Sequence, residues 1–226
     1  MRVIFNEELK AVADDLDRMA QDVRKAINGA GDALLNQNLE AAQAVIDGDI
    51  EIDALESSVI DQCVKLLAKQ NPVATDLRVV VSTLRLAATF ERMGDLARHI
   101  AEAARRTYPA SPLPADAPPL FAEMQAFLDN VADQVVSMLT DRDTKTAEQI
   151  ILNDDKLDAL HKKTFELAQS EDWKGTNQQL IDVVLTGRFM ERLGDHAVSA
   201  ARRVVFIVSG FDPSKEPTRD EGTDID

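Results

Sequence analysis

The chain has 226 residues and a formal net charge of −15, from 25 Lys and Arg against 40 Asp and Glu. That charge repels nucleic-acid phosphates and anionic membrane surfaces, which argues against a nucleic-acid partner and leaves cations and basic protein surfaces open. A single cysteine, Cys63, excludes an intrachain disulfide and a CxxC metal site, and reads as a small buried hydrophobe.

With 45% hydrophobic but only 4% aromatic residues, nine Gly and eight Pro, the composition favours helix over sheet. Leu9, Val12, Leu16, Met19, Val23, Ala26 and Ile27 recur at helical spacing and predict a helix over 4–36, with Gly29 and Gly31 as soft points. Asn38 is a good N-cap for a second helix over 39–70, in which Gly48 marks a candidate bend. Asn71-Pro72 suits the start of a third over 73–107, with Asn capping and Pro in the first turn. YPASPLPADAPP, 108–119, is too rich in proline for a helix and reads as a linker or rigid crossover. Helical stretches then follow over 119–140, 143–169 (capped by Asp143) and 176–209, with Trp173 anchoring the turn before the last. FDPSKEPTRDEGTDID, 211–226, is polar, acidic and patternless, and reads as a disordered tail. The longest purely apolar run, VVFIV at 204–208, is far too short to span a bilayer, and MRVIFNEELK lacks the apolar core of a signal peptide, so a cytoplasmic location is expected.

Three helices, a proline crossover and three helices suggest a duplication. FERMGDLARHIAEAARR at 90–106 aligns with MERLGDHAVSAARRVVF at 190–206, and DIEIDALESSV at 49–59 with DDKLDALHKKT at 154–164. The expected architecture is all-α, a tandem repeat of two three-helix bundles built from six long helices: 1–108, a Pro-rich linker 109–118, 119–210 and the tail.

One helical turn separates i from i+4, so Glu91 and Asp95 share a face, about 40° apart and opposite the stripe of Leu86, Phe90, Met93, Ala97 and Ile100. Glu191 and Asp195 repeat this. Asp49, Asp53 and Glu56 share a face of the second helix, matched by Asp154, Asp158 and His161. Each half thus carries two (Asp/Glu)-x-x-x-Asp copies on successive helices, expected to converge on one outward-facing surface. Such charge needs a positive partner: Arg92, Arg98 and Arg192, or bound metal, for which oxygen donors with an occasional imidazole suit Fe, Mn, Zn or Mg. Gly94 and Gly194 cost about 1 kcal/mol each in a helix interior, which close approach of the neighbouring helix would explain. His161 reads equally as a ligand replacing Glu56 or as a solvated histidine; His99 and His196 read as packed or exposed non-ligands. No Walker A, GxSxG or Cys/His nucleophile pattern is present, and inward Glu-x-x-His pairs of di-iron bundles are absent.

The duplicated ER-x-GD, together with GDIEIDALESSVIDQCVKLLAKQNPVATDLR at 48–78, resembles the PhoU family of phosphate-response regulators, over residues 3–209. The resemblance implies two tandem three-helix bundles in a cytoplasmic, often dimeric protein without catalytic activity. It implies multinuclear iron or zinc clusters on Glu91 with Asp95, Asp49 with Asp53, Glu191 with Asp195, and Asp154 with Asp158. It also implies an adaptor linking a Pst-type phosphate ABC transporter, through its ATPase subunit, to a PhoR-type sensor histidine kinase, holding the regulon off when phosphate is plentiful. Two departures, His161 for Glu56 and Arg202 for Glu102, point to a smaller second cluster or one with a different metal preference. Alternatives are a metal-independent scaffold whose acidic faces bind basic partners, and a metal-storage or metal-dependent hydrolytic protein.

Overall fold

A computed structural model describes residues 2–210; Met1 and the tail expected over 211–226 lie outside them. The described residues form seven helices: α1 (Arg2–Asn36), α2 (Leu39–Gln70), α3 (Ala74–Thr107), α4 (Pro118–Asp141), α5 (Thr144–Leu152), α6 (Asp154–Ala168) and α7 (Asn177–Ser209). The all-α tandem of bundles holds, with α1–α3 packed in one half and α4–α7 in the other.

Local chemistry sets the boundaries. The Asn38 side chain accepts from the Ala41 N–H at 3.0 Å, and Asp143 from Lys145 at 2.9 Å, so both expected caps form. Asn71 does a different job from the expected one. It ends α2 in the left-handed conformation (φ 46°), which Asn tolerates, while α3 starts after Val73 with no side-chain cap. The fifth expected helix is broken. Asn153 leaves helical geometry (φ −96°, ψ 1°) and its side chain donates to the Gln149 carbonyl at 2.8 Å, closing α5 and opening α6. Asp154 and Asp155 then occupy the first turn of α6, where the helix dipole favours negative charge.

α1 runs unbroken through Gly29 and Gly31. These are close-approach positions rather than soft points: a Cβ on Gly31 would lie 2.1 Å from Gln125 Cδ on α4, and one on Gly29 2.7 Å from Val45 Cγ2 on α2. The crossover before α4 is likewise packed. Leu113 is buried, and its carbonyl accepts from Gln179 Nε2 on α7 at 3.1 Å.

α3 and α7, the two ER-x-GD helices, pack antiparallel at the junction of the halves. Arg106 at the end of α3 pairs with Asp182 near the start of α7, His99 stacks on Phe189 at 5.3 Å, and Arg78 Nη2 donates to the Ile207 carbonyl at 3.2 Å. One continuous apolar core, including Met19, Phe90, Met93, Phe121, Met124 and Met190, runs through both halves. Cys63 lies within it, fully buried, and burial pushes its thiol up to about 11. No helix among the described residues is long and apolar enough to cross a membrane.

Candidate metal centre

In the first half, α2 and α3 meet where Gly94 removes a side chain. A Cβ there would lie 3.0 and 3.2 Å from the Ile52 methyls and 3.2 Å from Asp49 Oδ1. The glycine therefore brings the two acidic helix faces together, as its position between Glu91 and Asp95 suggested. The equivalent Gly194 lets Leu157 of α6 against α7, with Leu157 Cδ2 at 2.6 Å from a hypothetical Cβ.

The first-half carboxylates gather around a guanidinium. Arg98 donates from Nε to Asp49 Oδ2 at 2.5 Å, from Nη2 to Asp95 Oδ1 at 2.5 Å, and from Nη1 to Glu102 Oε1 at 2.9 Å. These bonds, that to Asp95 foremost, raise the guanidinium above its usual range. Asp49 is 7% exposed, not outward-facing, because α3 covers it. Burial raises its carboxyl, against the opposing pull of Arg98 and helped by Asp53 and Asp95. Glu91 is half-buried and is raised by burial, then by Asp95, Glu56 and Asp53. All five expected first-half residues thus share one electrostatic neighbourhood, with Asp53 the exposed member.

In the second half, Asp158 of α6 and Glu191 and Asp195 of α7 each offer a ligand oxygen, all within 4.8 Å of one another. Glu191 is 9% exposed, again buried where an outward position was expected. Arg188 Nη1 donates to both its oxygens, at 2.6 and 2.7 Å. Burial raises the Glu191 carboxyl, followed by Asp195, with Arg188 opposing. Asp154 is half-buried; burial, Asp158 and Asp195 raise it while Arg202 opposes. Carboxyls held this way favour either a proton or a cation in their place.

His161 packs on Phe165, ring centroids 5.0 Å apart, and its Nε2 is buried without a hydrogen-bond partner. Burial and then Arg188 lower its basicity, so it stands as a neutral imidazole beside the carboxylates, the form in which histidine ligates metals. His196 is half-buried and lowered by burial and by Arg192 and Arg92; with His99 it belongs to the α3–α7 junction. Arg92 and Arg192 are exposed and act on Glu91 and Glu191 through the field only. The close counter-ions are Arg98 and Arg188, and Arg188 was missed in the sequence although its i−3 spacing from Glu191 is the signal that finds it.

The donor set fits a metal unequally in the two halves. Asp158, Glu191 and Asp195, with His161 alongside, form an oxygen-rich cluster suited to a hard or borderline cation, although Arg188 already donates to both Glu191 oxygens. In the first half the Arg98 guanidinium lies between Asp49, Asp95 and Glu102, so of Asp53, Glu91 and Asp95, the repeat equivalents of that cluster, it engages Asp95 alone.

This is a two-repeat all-α protein whose halves each present a carboxylate cluster across the last helix pair. A PhoU domain model matches twice, over residues 16–104 and 121–204, and the chain belongs to the PhoU family. It is 36% identical over 216 residues to a phosphate-specific transport system accessory protein, PhoU homolog 1 of Mycobacterium leprae, covering 96% of this chain and 97% of that protein. It is also 36% identical to the Mycobacterium tuberculosis PhoU homolog 2 of the same description, over 94% of this chain and 100% of that one. The crystal structure of PhoU from Pseudomonas aeruginosa superposes with a TM-score of 0.86 at 26% identity, covering 92% of this chain and 100% of that one.

Proposed function

We propose that the chain is an accessory protein of phosphate transport, acting in the cytoplasm as a non-catalytic negative regulator of phosphate uptake and of the phosphate-starvation regulon. The relatives' description as phosphate-specific transport system accessory proteins, over nearly their full length, supports the transport role. In this reading the chain is an adaptor, a homodimer whose acidic faces dock on the ATPase subunit of a Pst-type transporter and on a PhoR-type sensor histidine kinase. The net charge of −15 suits basic partner surfaces.

The observation that carries the metal part of the reading is the convergence of Asp158, Glu191 and Asp195. Iron or zinc bound there, with manganese or magnesium as harder alternatives, would supply a positive charge that cross-links α6 to α7. The protein's part is to hold the carboxylates on two helices brought together at Gly194, with Asp154 and His161 on the margin. Of Asp49, Asp53, Glu56, Glu91 and Asp95 in the first half, Asp49 and Asp95 would take an ion only in exchange for Arg98. In this role the ion organises a docking face and performs no chemistry.

Elemental analysis of protein purified without a metal-affinity tag, beside a Glu91→Ala/Glu191→Ala variant, tests the metal part. Stoichiometric iron or zinc, largely lost in the variant, is expected. No metal in either, even after reconstitution, refutes it and leaves the second reading, metal-independent acidic docking faces, which the Arg98 arrangement favours. Co-purification with the transporter ATPase and the kinase tests the adaptor role, and binding to neither overturns it.

A further inference from the structure

The arginine of ER-x-GD is left without a partner in both repeats. Arg92 and Arg192 hold equivalent places, both are exposed, and neither forms a hydrogen bond or salt bridge among the described residues. By contrast Arg98 holds Asp49, Asp95 and Glu102, and Arg188 holds Glu191.

The packing of α3 against α7 sets where the two free side chains stand. His99 stacks on Phe189 and Arg106 pairs with Asp182, which fixes the register of this antiparallel pair. Followed one turn back along α3 from His99, that register puts Leu96 opposite Arg192; one turn further, Arg92 stands opposite His196. The Arg78 bond to the Ile207 carbonyl keeps the helices together beyond that point. Arg92 and Arg192 are therefore offset by about one turn, ~6 Å along the axis, across helices whose axes pack about 8–10 Å apart. Two extended arginine side chains close such a gap from either side. His196 lies between them, facing Arg92 across the seam and following Arg192 by one turn on α7. Both charges reach its ring: burial and then Arg192 and Arg92 lower its basicity, with Asp195 opposing.

The carboxylates of the same motif turn away from the seam. Glu91 and Asp95 lie about 100° and 60° around the helix from Arg92, toward α2. Glu191 and Asp195 likewise gather with Asp158 of α6. The exposed centre of the α3–α7 seam is thus a cationic spot, built equally by the two repeats, on a chain of net charge −15.

We propose that Arg92, Arg192 and His196 form an oxyanion site across the α3–α7 seam, and that its ligand is a phosphate group.

Planar guanidiniums offer paired N–H donors that match the oxygens of a phosphate, and two of them with an imidazole N–H reach several oxygens at once. Because neither arginine is engaged, no salt bridge is broken when the anion arrives. The bound anion bridges the two halves beside both carboxylate clusters.

This inference rests on the phosphate-transport reading only in the choice of phosphate among oxyanions. Equilibrium dialysis of the full chain against radiolabelled inorganic phosphate, in chelator so that no metal contributes, tests it, with circular dichroism confirming that each variant folds. Arginine-dependent binding of about one phosphate per chain is expected. Arg92→Gln and Arg192→Gln should each weaken it about tenfold or more, the loss of a charge-assisted contact, and the double variant should bind none. His196→Leu, which installs the residue of the equivalent position 96, should weaken it less than loss of either arginine. Arg85→Gln removes another exposed, unpaired arginine two turns earlier on α3 and should bind as wild type does. Competition by phenyl phosphate extends the site to phosphoryl groups carried on larger molecules, and failure to compete restricts it to the free ion; both uphold the site. No phosphate on folded wild type, binding retained in the double variant, or an equal loss in Arg85→Gln overturns the proposal. Co-purification with the transporter ATPase and the kinase but no phosphate binding overturns this inference alone. Arginine-dependent phosphate binding by a chain that co-purifies with neither overturns the adaptor reading alone.

Discussion

Arg106→Ala tests whether the two halves behave as one cooperative unit. Asp182 is 2% exposed; its Oδ1 accepts from Arg106 across the α3–α7 junction and from Gln178 Nε2 at 3.1 Å, while Oδ2 is buried without a partner. Removing one partner of a fully buried pair costs about 3–5 kcal/mol, because a charge is left without compensation. Arg106 is 54% exposed, so solvent screens part of the pair, and exposed pairs are worth about 0–1 kcal/mol. With Gln178 still bonded, the expected loss lies between these limits, roughly 2–3 kcal/mol. Asp182→Ala removes the orphaned charge as well, so the double variant should fall short of the sum of the singles by about 1–2 kcal/mol. The assay is urea unfolding of the four proteins, followed by circular dichroism for all helices and by fluorescence of Trp173, the single tryptophan, for the second half. Coincident transitions in wild type that separate in Arg106→Ala would identify the pair as a coupling element between the halves. A loss below about 0.5 kcal/mol, or strict additivity, refutes the reasoning.

Three further outcomes are expected. Burial and Asp195 raise the Glu191 carboxyl above its ordinary 4.5, so the folded chain holds that proton more tightly than the unfolded chain, and ionisation costs stability that is absent below 4.5 and complete above the raised value. In chelator, Glu191→Gln should therefore melt higher than wild type at neutral pH, the gap closing as pH falls toward 4.5; a lower melting temperature at neutral pH contradicts this. Gly31→Ala places a Cβ 2.1 Å from Gln125 Cδ, and Gln125 is buried and bonded to the Ile27 carbonyl at 3.1 Å and to Asp129 at 2.7 Å. Overpacking and a disturbed buried amide should outweigh the helix-propensity gain, for a net loss of roughly 1–3 kcal/mol in urea unfolding, and a stabilised variant would show that Gln125 moves freely. Cys63, fully buried with its thiol pushed up to about 11, should ignore a thiol reagent at mildly alkaline pH and react fully after denaturation; rapid native labelling would place it elsewhere than the core.

The sequence made the helices readable because their signals are local. Asn38 and Asp143 cap as expected, and periodic apolar residues such as Met19, Phe90 and Met190 lie in the core. Asn71 misled because the same residue type serves an N-cap or a left-handed C-cap, and only the chain's path after Gln70 decides between them. The break at Asn153 was hidden because the apolar period runs through it: Ala147, Ile150, Leu157 and Leu160 are all buried on either side. The helical wheel put Asp49 and Glu191 away from the core stripe of their own helices, yet both are buried. A wheel describes one helix, and it is the neighbouring helix, admitted at Gly94 and Gly194, that covers these carboxylates.

What a duplicated motif conserves is placement, and what it leaves free is the choice of counter-charge. Both halves keep a carboxylate pair on α3 or α7, a second acidic run on the adjacent helix, and the glycine that brings the helices together. Buried carboxylates in such an arrangement need compensation, since their mutual repulsion and desolvation both favour the neutral form. In the first half Arg98, on the next turn, supplies it to Asp49 and Asp95; in the second Arg188 supplies it to Glu191 from the preceding turn, and Arg202 acts on Asp154 through the field. The carboxylate placement thus repeats with the motif, while the arginines that balance it stand at position 98 in one half and at 188 and 202 in the other.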